Sequence, residues 1–167
     1  PLPRLTITQN TTDQDAREAM RRLTALTPTD RGGVLSAFAQ LNADPSRLLA
    51  GGNPSPGELR KLLLCLGLRD HPHLIVMDEP TNHLDVKYQL QLLNTVKSLD
   101  LTVVAAFHDL NLAGLYCDEI YVLKDGRVRA AGAPWEVLTA PLIEEVYGVH
   151  ADILPGKDGN PRIIYYA

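Results

Sequence analysis

The sequence contains only two cysteines, and their spacing forms no recognisable pattern. Cys65 and Cys117 lie isolated in apolar segments of the 167-residue chain, without a CxxC or a Cys/His arrangement. This usage argues against a structural zinc site and against a disulfide framework. We therefore expect a reducing, cytosolic setting.

The chain also lacks an excess of positive charge and a long apolar run. Its 16 basic and 20 acidic side chains give a formal net charge of −4, so we expect no nucleic-acid partner. No apolar run approaches the length of a membrane span, and no segment resembles an export leader. Any membrane contact is therefore expected to be made through a partner protein.

A hydrophobic content of 45% is sufficient for one substantial core. Apolar spacing predicts a short strand over residues 5–8, a helix over residues 13–26, and a second helix from Pro28 that stops before Pro45. The segment LLAGGNPSPGE is dense in Gly, Pro and Asn, which predicts a loop. A largely buried helix follows, with Pro56 in its first turn.

Two apolar runs in the second half of the chain predict a βαβ unit. HLIVMD reads as a strand covered on both faces and LTVVAAFHD as a second all-apolar strand, and a helix from about residue 86 to about residue 99 separates them. This order predicts parallel strands and an α/β fold class. Further on, DEIYVLKDGRVRAAG predicts a hairpin, PWEVLTAPLIEEVYGV one or two helical turns, and the tail a last hairpin or a loose extension.

Two adjacent carboxylates follow the first of these strands. Asp78 and Glu79 stand where open α/β sheets bind ligands. An acid there can hold Mg²⁺ beside a nucleotide phosphate, and a second acid can orient or deprotonate an attacking water. Asp78 is the candidate metal ligand and Glu79 the candidate base; the simpler alternative is that both cap a turn and point to water. Asp85 is a candidate cap for the next helix.

His108 follows the second apolar strand. Adjacent parallel strands would place His108 beside Asp78, where the imidazole could donate to a terminal phosphate. The simpler alternative is a histidine that only begins the helix after it.

Together, LIVMDEPTNHLD and VVAAFHDLNLAGLYCDEIYVLKDGRVRAAGAPWEVLT resemble the second half of ATP-binding cassette (ABC) ATPases. The resemblance is strongest to the ATPase subunits of importers for iron siderophores, haem and cobalamin. The family has a Walker B strand ending in Asp and Glu, a D-loop and a switch histidine, which match Asp78, Glu79, residues 82–85 and His108. The likeness covers roughly residues 50–154.

This resemblance implies a partial P-loop NTPase (RecA-like) core with parallel strands plus a helical subdomain, and ATP and Mg²⁺ as cofactors. Asp78 would hold Mg²⁺, Glu79 would polarise the attacking water, and His108 would contact the γ-phosphate. Asp85 would lie in the interface of a head-to-tail dimer with a second ABC ATPase subunit. Gln9 would match the Q-loop glutamine, although a solvated glutamine at a strand end is an equal alternative.

The family's signature loop, Leu-Ser-Gly-Gly-Gln, is altered in this sequence. Pro54, Ser55, Pro56, Gly57 and Glu58 stand in its place. Ser55 and Gly57 keep a hydroxyl and backbone N–H groups at a helix N-terminus, where the dipole favours phosphate, but Pro56 removes one donor. We expect this loop, Glu58 included, to bind the partner subunit's ATP weakly. The segment SPGELRKLLLCLGLRDHPHLIVMDEPTNHLD resembles the F-group ABC proteins, which act on ribosomes, more than the importers, and the likeness to the importers returns after residue 101.

A Walker A loop, GxxxxGK[ST], is missing from the 167 residues. The single Gly-Lys pair is followed by aspartate and lacks the first glycine of the motif. We expect residues 1–72 to form the Q-loop strand and a helical subdomain with the degenerate signature loop, residues 73–150 the C-terminal half of the ATPase core, and residues 151–167 a C-terminal extension.

The resemblance indicates an ATP-hydrolysing subunit of a transporter that imports an iron siderophore, haem or cobalamin. Such a subunit would be cytoplasmic and peripheral on the inner face of the cell membrane, bound to membrane-spanning subunits. Without Walker A, this chain alone is expected to be inactive. The alternatives are a non-catalytic module that presents its signature face to a Walker A-bearing partner, and a piece of an F-group ribosome factor, which predicts a second cassette or a long linker helix.

Overall fold

The structure is a computed structural model, and it describes residues 3–8, 10–82 and 84–166. The chain divides into two compact units, Pro1–Ala106 and Phe107–Ala167. Gln9 and His83 lie outside the described residues. The three functional segments expected from the sequence stay a prediction.

The first unit combines a parallel sheet with helices. Its described elements are β1 (Arg4–Ile7), α1 (Asp13–Ala25), α2 (Pro28–Gln40), α3 (Pro45–Leu49), α4 (Pro56–Leu68), β2 (Leu74–Asp78), α5 (Val86–Lys97) and β3 (Thr102–Ala106).

The sheet has the strand order β1-β2-β3, and both pairs of strands are parallel. Arg4 pairs with Leu74 at one end of the sheet, and Asp78 pairs with Ala106 at the other. The predicted α/β fold class and the predicted parallel βαβ unit are confirmed. Since parallel strands end at the same edge, Asp78 lies where their carboxyl ends meet.

Helix α4 lies at the centre of the first unit and packs against α1, α2 and β1. Its buried residues are Leu59, Arg60, Lys61, Leu62, Leu64, Cys65, Leu66 and Gly67. Burial raises the pKa of the Cys65 thiol to about 11, so the thiol stays protonated at neutral pH and packs as a small apolar group. The predicted buried helix after the Gly/Pro-rich segment is confirmed.

Helix α3 was not predicted, and the predicted loop is wrong at its first two residues because Leu48 and Leu49 belong to this helix. Pro45 occupies the first helical turn, and the Asp44 side chain accepts a hydrogen bond from the Ser46 N–H at 2.9 Å. An aspartate cap followed by proline is a sequence signal for a helix start.

Strand β3 is less covered than its composition predicts. It consists of Thr, Val and Ala residues, yet Val104 is 57% exposed and the side chains alternate between half-buried and exposed. In the order β1-β2-β3 it is an edge strand. The predicted second apolar strand is confirmed, and one of its faces is exposed.

The second unit is built from two hairpins and short helices. Its described elements are α6 (Leu110–Tyr116), β4 (Ile120–Lys124), β5 (Arg127–Gly132), α7 (Pro134–Val137), α8 (Ala140–Tyr147), β6 (His150–Pro155) and β7 (Pro161–Tyr166). β4 pairs with β5 and β6 with β7, both antiparallel. The first predicted hairpin is confirmed, with its turn at Asp125 (φ 51°) and Gly126 (φ 72°), and the tail forms a hairpin.

Apolar packing and one reciprocal amide contact stabilise this second unit. Its core contains Leu110, Ile120, Val122, Val137, Leu138, Ile143 and Ile163. The Asn111 amide donates to the Ile163 carbonyl at 3.2 Å and accepts from the Ile163 N–H at 2.8 Å, which fixes α6 against β7.

Within the ranges that the structure describes, no helix is long and apolar enough to cross a membrane.

The close approach of α4 to β1 provides a test of the fold. A Cβ added at Gly67 would lie 2.3 Å from Leu5 Cδ1, so Gly67→Ala is expected to lower the free energy of unfolding by about 1–3 kcal/mol. Gly33→Ala in α2 is the control, because a Cβ there meets nothing within 4 Å and alanine favours a helix by about 0.5–1 kcal/mol. Urea denaturation followed by circular dichroism measures both; equal effects would contradict the packing.

Candidate functional site

The turn after β2 fixes the two candidate carboxylates in different ways. Asp78 is the last residue of β2 and its side chain is exposed, whereas Glu79 is half-buried. The Glu79 backbone has φ 45°, in the left-handed region that residues other than glycine rarely adopt. The Asn82 N–H donates to the Glu79 carbonyl at 3.1 Å, and Asn82 Nδ2 donates to Glu79 Oε2 at 2.8 Å. The Glu79 carboxylate is therefore held by its own turn.

Side chains from α4 and α5 hold this turn in place. Arg60 Nη1 of α4 donates to the Asn82 carbonyl at 2.5 Å. Gln89 Nε2 of α5 donates to the carbonyls of Thr81, at 3.1 Å, and Leu84, at 3.0 Å. Sequence reasoning missed Arg60 and Gln89, although a charged residue inside an otherwise apolar helix was a visible signal.

Asp85 is the N-cap of α5, as the sequence predicted. Its side chain accepts a hydrogen bond from the Tyr88 N–H at 3.1 Å. The ammonium of Lys61 on α4 lies 4.2 Å from the centre of the Tyr88 ring, which attaches the first turn of α5 to α4. The expected place of Asp85 in a dimer interface stays a prediction.

Two residues of the altered signature loop, Ser55 and Glu58, hydrogen-bond to each other at the start of α4. The Ser55 N–H donates to Glu58 Oε2 at 2.7 Å, and the Glu58 N–H donates to Ser55 Oγ at 3.3 Å, which together form a capping box. Arg47 Nη1 lies 3.5 Å from Glu58 Oε2. Burial raises the pKa of Glu58, but the Ser55 hydrogen bonds and the nearby cations outweigh it, so the pKa lies below its usual value.

The capping box bears directly on the expected phosphate contact. The ionised Glu58 carboxylate already lies against the N-terminus of α4, where the helix dipole would otherwise favour an anion. The Ser55 oxygen accepts from its own helix, while its O–H proton can still donate. Phosphate contacts by Ser55, Gly57 and Glu58 stay predictions, and Glu58 would oppose them electrostatically.

The signature loop and the turn after β2 lie against each other. A Cβ added at Gly57 would be 3.0 Å from Leu84 Cδ2, so the absence of a side chain at Gly57 permits this approach. Two segments that are separate in the sequence therefore meet within the first unit. The spacing of the motifs gave no signal for this contact.

His108 belongs to the second unit and its side chain is exposed. Asp109, not His108, caps the helix that follows: Asp109 Oδ1 accepts from the N–H groups of Asn111, at 2.8 Å, and Leu112, at 3.1 Å. The proximity of His108 to Asp78 stays a prediction, because the two residues lie in different units. The proposed role of Gln9 also stays a prediction, since Gln9 is outside the described residues.

The residues present fit Mg²⁺ better than they fit a whole nucleotide. Asp78 offers an exposed carboxylate at the carboxyl edge of the sheet, and Mg²⁺ typically uses one or two carboxylates together with water and substrate phosphates. Among the described residues, no group of three or more His, Cys, Asp or Glu side chains could hold a metal by itself. The sequence contains no GxxxxGK[ST] loop for the phosphates.

No family model matches the chain. Curated proteins do match it, among them the cobalamin import ATP-binding protein BtuD of Halobacterium salinarum, 41% identical over 122 residues. The hemin import ATP-binding protein HmuV of Aliivibrio fischeri is 39% identical over 103 residues, and the petrobactin import ATP-binding protein FpuC of Bacillus anthracis is 32% identical over 108 residues. The chain is a homologue of ABC transporter ATP-binding proteins.

These alignments cover much of this chain but less than half of each relative. They include 71%, 60% and 62% of this chain and 29%, 39% and 40% of BtuD, HmuV and FpuC, respectively. The predicted resemblance to ABC ATPases is confirmed.

Solved structures show that the fold is that of an ABC ATPase. An ABC transporter in an inward-facing conformation superposes with a TM-score of 0.75 at 16% identity, covering 100% of this chain and 74% of that one. A dimeric ATP-binding cassette in a post-hydrolysis state, bound to ADP and Pi, gives a TM-score of 0.63 at 23% identity, covering 78% of this chain and 62% of that one. The predicted P-loop NTPase class is confirmed.

The capping box of this ABC ATPase homologue predicts a pH-dependent stability. Glu58→Gln is expected to lower the free energy of unfolding at neutral pH by about 1 kcal/mol, because the amide lacks the charge that the helix N-terminus favours. The pKa of Glu58 is depressed below its ordinary 4.5, so the stabilisation is complete above pH 4.5 and is lost as the pH falls through the folded-state value.

The measurement is urea denaturation of the parent and of Glu58→Gln at a series of pH values from neutral downwards. The two unfolding free energies should converge below pH 4.5. A difference that stays constant into the acid range would show that the Glu58 charge does not act on the folded state.

Proposed function

We propose that the chain supplies the hydrolytic part of an ABC transporter ATP-binding subunit. The observation that carries the proposal is the position of the Glu79 carboxylate. Glu79 directly follows Asp78 at the carboxyl end of β2, and Asn82 Nδ2 donates to Glu79 Oε2 at 2.8 Å. Adjacent acids at this place in an α/β sheet suit phosphoryl transfer to water, which depends on positioning and charge neutralisation. The homology to ABC transporter ATP-binding proteins supports the assignment.

Each candidate residue then has a distinct role. Asp78 would hold Mg²⁺, which when bound supplies positive charge to the nucleotide phosphates. Glu79 would orient the attacking water and accept its proton, and the hydrogen bond from Asn82 keeps the carboxylate in one orientation. His108 would contact the γ-phosphate by donating a hydrogen bond to it. Gln9 would contact Mg²⁺ and sense the transporter subunits.

The transported solute belongs to the class carried by the relatives. BtuD, HmuV and FpuC are named for the import of cobalamin, hemin and petrobactin, respectively. Three different solutes among relatives of similar identity support import of an iron siderophore, haem or cobalamin without selecting one, because solute contacts lie on other subunits. The proposed location is cytoplasmic, peripheral on the inner face of the membrane.

The proposed partners are a second ABC ATPase subunit and membrane-spanning transporter subunits. A similar cassette is dimeric in its solved structure, and we propose a head-to-tail dimer for this chain. In that dimer, Asp85 would lie at the interface, and Ser55, Gly57 and Glu58 would face the partner's ATP. The helices of residues 13–70 would form the subdomain that docks on the transporter subunits.

A non-catalytic binding module is the second candidate. It is favoured by the lack of a GxxxxGK[ST] loop in the 167 residues and by the Glu58 charge at the start of α4. Such a module would present its signature face to a Walker A-bearing partner. The reading frame upstream of Pro1 discriminates between the two candidates: a GxxxxGK[ST] loop there supports the ATPase, and its absence supports the module.

Replacing Glu79 by Gln tests the proposed base in the protein expressed from its full reading frame. Turnover, measured as phosphate release, should fall by about 10²- to 10⁴-fold while ATP binding persists and a dimer is trapped. The amide oxygen can still accept from Asn82, so the turn should be retained. Glu18→Gln, which alters an exposed pair with Arg21, is the control. Undiminished turnover in Glu79→Gln would overturn the assignment.

Replacing His108 by Ala in the same protein tests the proposed phosphate contact. Hydrolysis should slow by about 10²-fold or more, because the γ-phosphate loses a positioned hydrogen-bond donor. His150→Ala is the matched control, since His150 is exposed and lies 3.5 Å from Glu144. If both histidine variants hydrolyse ATP at the parent rate, His108 has no catalytic role.

A further inference from the structure

Helix α4 contacts the turn that carries the candidate base at two positions, one helical turn apart. Gly57 lies against Leu84, and one helical turn later the Arg60 guanidinium reaches the Asn82 carbonyl at 2.5 Å. Residues three apart lie on one face of a helix, so these two contacts belong to the same side of α4. That side therefore determines where the turn lies.

Arg60 is an unusual residue for such a contact because it is only 5% exposed. Burial lowers the pKa of its guanidinium, while the charge of Glu79 acts in the opposite direction and favours the cation. A buried cation is costly unless hydrogen-bond acceptors and opposite charge lie close to it. The Asn82 carbonyl and Glu79 provide these, so Arg60 has a strong preference for one position.

Asn82 connects Arg60 to the candidate base. Its carbonyl accepts from Arg60, its N–H donates to the Glu79 carbonyl at 3.1 Å, and its Nδ2 donates to Glu79 Oε2 at 2.8 Å. Glu79 has φ 45°, a conformation that surrounding contacts must maintain. The orientation of the Glu79 carboxylate thus depends on Asn82, and the position of Asn82 depends on Arg60.

We propose that Arg60 is a positioning residue, which acts through Asn82 to hold the Glu79 carboxylate in the orientation needed to engage the attacking water. The inference rests on the proposed function, in which Glu79 is the base. In this proposal Arg60 acts through the Asn82 carbonyl, so its loss should lower kcat and leave the binding of MgATP nearly unchanged.

The test uses the protein expressed from its full reading frame. Arg60→Met keeps the apolar stem and removes the donors, and kcat is expected to fall by about 10- to 100-fold because a small displacement of a catalytic group has effects of this size. KM for MgATP should change by less than about twofold. Arg60→Lys should recover part of kcat, since an ammonium can still donate to the Asn82 carbonyl.

Arg31→Met is the matched control. Arg31 Nη2 also donates to main-chain carbonyls, those of Thr24 at 2.5 Å and Leu26 at 3.1 Å, but in the connection between α1 and α2. Its replacement should lower stability without lowering kcat. If Arg60→Met lowers kcat no more than Arg31→Met does, the proposal fails.

Asn82→Ala covers the case in which Arg60→Met does not fold. This variant keeps the backbone carbonyl that accepts from Arg60 and removes only the amide that donates to Glu79. The same loss of kcat, at unchanged KM, is expected. A parent-like kcat in Asn82→Ala would overturn the proposal.

Two further measurements distinguish this inference from the proposed function. Combined with Glu79→Gln, Arg60→Met should cause no further loss of turnover, because both act on one group; additive losses would overturn the proposal. Hydrogen exchange of the Asn82 side-chain amide, followed by NMR, should accelerate in Arg60→Met but not in Arg31→Met. Unchanged exchange would disprove the link whatever the turnover. Parent-like turnover of Glu79→Gln would remove the proposed function and with it the catalytic role of Arg60, whereas accelerated exchange in Arg60→Met would still show that Arg60 fixes Asn82.

Discussion

The burial of α4 is the constraint on which the rest of the first unit depends. A helix that packs against α1, α2 and β1 has little surface left for polar groups, so each polar side chain it carries needs a partner at a defined place. Arg60 donates to the Asn82 carbonyl in the turn after β2, and the Lys61 ammonium lies over the ring of Tyr88. Both contacts lie toward the candidate site. The apolar core and the orientation of Glu79 are therefore consequences of the same packing.

The proposed site has an acidic part and a phosphate-binding part, and this chain provides the acidic part more completely. The acidic end is well defined: Asp78 and Glu79 follow a strand of the parallel sheet, and the turn after them is held from two helices. The proposed phosphate-binding end would be weak, because Pro56 lacks an N–H and Glu58 brings a negative charge to the start of α4. Under the proposed function, a chain with this distribution would need phosphate contacts from outside these 167 residues.

Much of the fold could be predicted from the sequence because its signals are local. Two apolar runs separated by an amphipathic helix identified the βαβ unit, and an Asp-Gly turn identified the hairpin of β4 and β5. Helix α3 was missed because a Gly/Pro-rich segment concealed its last residues. The exposure of one face of β3 was not visible in its apolar sequence, because composition does not show which elements lie beside a strand.

The candidate site was predictable only in part. Adjacent carboxylates at a strand end are visible in one short stretch of sequence, and so is the Asp85 cap. The left-handed backbone of Glu79 and the contact of Arg60 with Asn82 are not, because the second joins residues 22 positions apart and arises only when α4 packs beside the turn. Local patterns identify the reactive groups, whereas tertiary contacts determine how they are oriented.

Strand β3 forms one open edge of the described sheet. Its five residues, TVVAA, carry no charge and no proline, and within the described sheet they pair with a neighbour on one side only. Natural edge strands are usually protected by charged residues, bulges or a covering element, because bare backbone donors and acceptors recruit strands from other molecules. Within the described sheet, this side of β3 can therefore pair with a further strand, and Val104 on that strand is 57% exposed.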